Sequence, residues 1–102
     1  MIYVIATVEV KAGKREAFLA EFRKNMPNVL AEKGCIEYGP TVDATTDIKA
    51  QIPLRENVVT IVEKWESLQA LHAHLAAPHM AVYRERVKDI VVGVTLQILD
   101  PK

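Results

Sequence analysis

Three histidines, the single tryptophan and two carboxylates fall within one stretch, Glu63–Tyr83 (EKWESLQALHAHLAAPHMAVY), and these side chains could do chemistry near neutral pH. An imidazole titrates close to neutrality, so His74 and His79 can each hydrogen-bond a phenolic oxygen or move a proton. Trp65 offers a large flat ring that suits either a core or the wall of an aromatic-ligand site. Glu63 shares a strand face with Trp65. Turned inwards, it is a buried carboxylate that needs a partner, which Arg84, Arg86 or a histidine could supply. Tyr38 and Tyr83 add hydroxyls to the same region, and either can equally serve as an amphipathic core residue.

Other chemistries find less support. The His72-x-His74 pair followed by His79 invites a metal, yet residues two apart on a helix point roughly 200° apart, so His72 and His74 cannot ligate one ion together. No metal site is expected. Cys35 follows Gly34 at a strand start, with no helix N-terminus or basic neighbour to activate it, and reads as a small buried hydrophobe. No Gly-rich phosphate loop, dinucleotide fingerprint or nucleophile elbow is present, and no bound cofactor is expected.

The elements that must position these groups follow from periodicity. Ile2–Val10 alternates as a strand, with Ile2, Val4, Ala6, Val8 and Val10 on one face. A helical pattern runs from about Lys14 to Lys33, with Phe18, Phe22, Met26 and Val29/Leu30 as its buried stripe. Pro27 removes a backbone donor inside that pattern, which predicts a kink or break near residues 25–27, and Gly34 is placed to cap the end. A second strand covers Cys35–Asp43, and residues 45–56 have no sustained period and read as a long loop. Asn57–Trp65 is a third strand, with Val59, Ile61, Glu63 and Trp65 on one face. Ser67 is a suitable N-cap for a helix carrying Leu68, Leu71 and Leu75, and Pro78 suits the first turn of a further helix carrying His79, Met80, Tyr83 and Val87. Residues 89–99 close the chain as a strand that is apolar on both faces.

The order β-α-β-β-α-β predicts an α+β, ferredoxin-like fold, a four-stranded antiparallel sheet with helices on one face. The other face needs a cover, because Tyr3, Ile5, Val58 or Val59 and one side of Ile90–Leu99 would form a contiguous apolar patch. A homodimer through the sheet face is the economical expectation.

Bulk composition agrees with one domain over residues 1–102. Half of the 102 residues are apolar and a quarter charged, as in ordinary globular chains. Thirteen basic residues balance thirteen acidic ones, which leaves no electrostatic footprint for nucleic acid or an anionic membrane surface. The opening MIYVIATVEV lacks the basic region and cleavage site of a signal peptide and is too short to span a bilayer. One Cys allows no internal disulfide, so a cytoplasmic location is expected.

Gly34-Cys35-Ile36-Glu37-Tyr38, Glu63-Lys64-Trp65 and the helical run from Ala70 to Met80, with His74 and His79, together resemble the antibiotic biosynthesis monooxygenase family over nearly the whole chain. The resemblance implies a dimeric α+β barrel. It also implies a cofactor-independent monooxygenase acting with O2 on a quinol or an aromatic polyketide-like molecule, with His74, His79 and Tyr38 as hydrogen-bonding catalytic groups and Trp65, Tyr83 and Glu63 as substrate contacts. Relatives of other activities set alternatives: a non-catalytic binding or stress-response dimer, or an isomerase of a small phosphorylated sugar that would need a basic contact from Arg55 or Arg84. Haem-degrading relatives are similar at Trp65 but differ at the positions of Arg84 and Thr7.

Overall fold

The computed structural model describes every residue from Met1 to Lys102. The chain runs β1 (Ile2–Val10), α1 (Arg15–Leu30), β2 (Cys35–Thr41), β3 (Val58–Trp65), α2 (Leu68–Leu75), α3 (Pro78–Val87) and β4 (Val91–Leu99). The strands form one sheet in the order β2-β3-β1-β4, with every neighbouring pair antiparallel. This is the expected ferredoxin-like α+β arrangement, its second helical unit divided into α2 and α3 by the turn before Pro78.

The strand alternation of the sequence is the alternation of burial. Ile2, Val4, Ala6, Val8 and Val10 of β1 and Val59, Ile61, Glu63 and Trp65 of β3 all face inwards beneath the helices. From above, α1 lays down Phe18, Leu19, Phe22, Asn25 and Val29. Asn25, an unexpected polar member of that stripe, donates its side-chain amide to the Met80 sulfur at 3.4 Å and so ties α1 to α3. Ser67 caps α2 by accepting from the Ala70 N–H at 3.1 Å, and Pro78 occupies the first turn of α3.

Three expectations are corrected. The helix does not break at Pro27 but continues to Leu30. Its last turn buries Val29 completely, and full burial of a valine is worth roughly 1.5–3 kcal/mol, comparable to the ~3 kcal/mol that an interior proline costs. The C-cap is Ala31 rather than Gly34. Gly34 instead serves the turn into β2, where its φ of +86° and the 2.7 Å between a Cβ there and that of Ala70 leave room only for hydrogen.

The third correction concerns the uncovered apolar surface. In β4, Val94, Leu96 and Ile98 pair with Val8, Ala6 and Val4, so they point to the helix side of the sheet. The helices stop short of this edge strand, and the row stays exposed at 54%, 42% and 48%. The face away from the helices is mixed instead, carrying Tyr3, Ile5, Thr7 and Glu9 beside Thr60, Val62 and Lys64, with the Lys64 ammonium 5.1 Å from the Tyr3 ring centre. Both Val58 and Val59 are buried.

The long loop, residues 42–57, is closed at its base. The Arg55 guanidinium donates to both carboxylate oxygens of Asp43 at 2.8 Å, and the Arg55 backbone N–H adds a third bond at 3.0 Å. That pairing holds the Asp43 carboxyl down at about 2.

Candidate active site

Between the sheet and α2/α3 lies a cavity of about 390 Å³, within the range typical of small-molecule sites. Twelve of its sixteen lining residues are hydrophobic. Ala6, Val8 and Ile61 form its floor, Phe18, Leu75, Met80 and Val87 its roof, and Val91, Val94 and Leu96 the side towards the open edge of the sheet. The polar groups among these walls are Tyr38, Glu63, His74, Tyr83, Arg84 and Lys88. No residue of the 42–57 loop is among them.

Glu63 reaches this place because β3 turns every second side chain inwards. It is 6% exposed, and its partner is neither an arginine nor a histidine: the Trp65 indole N–H donates to Glu63 Oε1 at 2.9 Å. One neutral donor does not replace the lost water, so burial lifts the carboxyl to about 7, with the Trp65 bond opposing and the Glu32 charge adding to the rise. Near neutral pH Glu63 can therefore either hold or accept a proton.

His74 is 2% exposed on the inner side of α2, whereas His72 points outwards. Its ring lies 4.6 Å from the Trp65 ring and 5.5 Å from Tyr38, centre to centre. Its Nδ1 sits 2.8 Å from Glu32 Oε2. Burial lowers the His74 pKa, with the Glu32 hydrogen bond and charge opposing and the His79 and Arg84 charges assisting, which favours the neutral ring.

Tyr38 and Tyr83 keep their protons for the same physical reason. Desolvation raises both phenols, and the Glu63 charge raises them further, although Arg84 opposes the shift at Tyr83. Both rings are held in the aromatic core, Tyr38 stacked on Phe22 at 5.2 Å and Tyr83 edge-on to Phe18 and Phe22. They can act as hydrogen-bond donors, not as bases.

The structure thus brings Tyr38, Glu63, His74 and Tyr83 together and separates two other residues from the cavity. Trp65 is wholly buried behind Glu63 and His74, supporting both from beneath rather than forming a wall. His79 also lies outside the lining. Its Nε2 is 3.2 Å from Glu32 Oε2 but poorly aligned, and neither ring nitrogen completes a hydrogen bond. Arg84 spends one N–H on the Leu75 carbonyl at 2.8 Å, fastening α3 to the end of α2. The Cys35 thiol is pushed up by burial and by the Glu32 and Glu63 charges, the opposite of an activated nucleophile. Glu32, the carboxylate shared by two histidines, carried no sequence signal; it stands in an irregular turn, 42 residues from His74.

The chain thus combines a ferredoxin-like α+β sheet with an apolar cavity into which buried titratable side chains are set. The family described as antibiotic biosynthesis monooxygenase matches residues 1–86. The chain is 40% identical over 103 residues to "Probable quinol monooxygenase YgiN" of Escherichia coli K12, covering 99% of this chain and 98% of that protein. Among solved structures, PA3566 from Pseudomonas aeruginosa superposes with a TM-score of 0.81 at 22% identity, covering 99% of this chain and 93% of the other. Rv0793 from Mycobacterium tuberculosis gives 0.78 at 24% identity, covering 99% and 94%. The two structures share the fold. The chain belongs to the antibiotic biosynthesis monooxygenase family.

Proposed function

We propose that this protein is a monooxygenase of quinols or similar electron-rich phenols, with the substrate itself supplying the electrons for O2. The observation that carries this reading is the cavity: apolar walls matched to an aromatic body, interrupted by a neutral histidine, a carboxyl poised near pH 7 and phenols that stay protonated. The relative named as a quinol monooxygenase supports the same substrate class.

Binding in the cavity removes the substrate hydroxyl from water and places it among groups that can take its proton. His74 and Glu63 are the acceptors, and the Tyr38 and Tyr83 hydroxyls donate to the oxygen that becomes negative. The quinolate then reduces O2. For a quinol with a free ring position, the ring gains one oxygen atom as a hydroxyl, the quinol is oxidised to the quinone level, and the other oxygen atom leaves as water with the two hydroxyl hydrogens. Trp65 acts by holding Glu63 and His74 in place, and His79 by flanking the carboxylate that His74 contacts.

A phosphorylated sugar fits less well. Arg55 is committed to Asp43 on the loop, and of the two cations in the cavity wall Arg84 donates to the Leu75 carbonyl and Lys88 is paired with Glu85. The protein acts as a homodimer that covers the bare row of β4, and its single thiol suits a reducing compartment, the cytoplasm.

The test is oxygen uptake by the protein over a panel of hydroquinones and polycyclic phenols. Uptake well above autoxidation is expected for at least one aromatic diol, reduced roughly 10²-fold or more in His74→Ala. Uptake equal to autoxidation throughout the panel would remove the reading.

A further inference from the structure

We propose that Glu32 is a positioning residue that fixes the tautomer of His74, holding the hydrogen on Nδ1 and leaving Nε2 as the bare ring atom presented to the substrate hydroxyl. The His74 ring is confined on two sides, by Trp65 at 4.6 Å with a 34° tilt and by Tyr38 at 5.5 Å edge-on. It cannot turn freely, so the partner of each nitrogen decides its role. Nδ1 faces Glu32 Oε2 at 2.8 Å, and a carboxylate oxygen accepts from a ring N–H, which assigns the hydrogen of this contact to Nδ1. His74 also lines the cavity, and the nitrogen left to it there is Nε2.

Glu32 is itself anchored. The turn that carries it is pinned by its own N–H, which donates to the Val29 carbonyl at 2.9 Å, and by the Cys35 N–H, which donates to the Glu32 carbonyl at 3.2 Å. Its side chain is only 16% exposed, which limits the positions the carboxylate can take. The carboxylate therefore reaches His74 from a turn that neither α2 nor the cavity contains.

The step this arrangement serves rests on the oxygenase reading. The substrate O–H bond breaks, its electron pair stays on oxygen, and the proton forms a bond to His74 Nε2. The resulting imidazolium is stabilised by the adjacent Glu32 carboxylate, and no electron passes to the protein.

The test uses intact protein labelled with 15N-histidine, whose long-range 1H–15N spectrum distinguishes the two tautomers, with His74 assigned by the loss of its signals in His74→Ala. In the wild type the hydrogen is expected on Nδ1. In Glu32→Gln, whose amide can donate to Nδ1, the signal should move towards the Nε2–H form, and any quinol-dependent oxygen uptake should fall roughly 10²-fold. A wild-type ring with its hydrogen on Nε2 overturns the proposal whether or not the variant folds. So does a folded Glu32→Gln protein with an unchanged tautomer, or with an altered tautomer and undiminished turnover. A wild type without quinol uptake removes the oxygenase reading alone, since the spectrum still decides what Glu32 does to His74.

Discussion

At the residue scale the site is governed by desolvation that is only partly compensated. Glu63 lies at the extreme, a carboxyl in an apolar wall with one indole N–H for company. Its pKa rises from 4.5 to about 7, so the native state binds this proton more tightly than the unfolded chain does. Below about pH 4.5 both states are protonated and the contribution is fully present; between 4.5 and about 7 it is lost as pH rises. The difference corresponds to roughly 3 kcal/mol. Glu63→Gln keeps an oxygen for Trp65 and has nothing to ionise. Urea denaturation at pH 5 and pH 8 should therefore show the wild type losing more stability than the variant, and equal losses would contradict the assignment. The strand period of the sequence placed Glu63 beside Trp65 on the inner face, but not its partner, because the nearest cation and the nearest indole are equally compatible with alternation. Glu32 carries no period as an exposed-looking Glu in Ala-Glu-Lys-Gly, and its contact with His74 exists only after the turn that follows α1 meets α2.

At the scale of elements, local signals worked where one interaction dominates and failed where packing overrode propensity. Ser67 and Pro78 mark their helix starts because each satisfies a purely local need, an orphan donor or a fixed φ. Pro27 does not stop α1, since Val29 gains its full burial only if the helix carries on past it. The Arg23 carbonyl consequently has no i+4 donor. Pro27→Ala restores that donor and should stabilise the protein by about 1–3 kcal/mol, seen as a higher thermal midpoint. A lower midpoint would mean that the proline is favoured by its surroundings rather than tolerated.

For the whole molecule, the open question at the sequence level was where the surplus apolar surface would lie. A strand apolar on both faces signals a second contact without saying on which side, because alternation carries no information about where helices end. The structure puts the bare row on the helix side of β4, an edge strand whose long exposed apolar run invites pairing. Val94 and Leu96 of that row also border the cavity, so the same surface that asks for a partner borders the site. Ile98 belongs to the row but not to the cavity walls. Light scattering should give a mass of twice 11.4 kDa for the wild type, and Ile98→Lys should weaken dimerisation at least ~10-fold by burying a charge. A wild type that stays at 11.4 kDa at all concentrations would show that no second copy covers β4.

The most direct test of the account is the fate of the oxygen atoms. With 18O2, ordinary water and a quinol that supports uptake, mass spectrometry of the product should find one 18O atom per molecule, with one O2 consumed for each product formed and no added reductant. Product without 18O, or hydrogen peroxide formed in amounts equal to the O2 consumed, would contradict it: the protein would then be oxidising quinols without inserting oxygen.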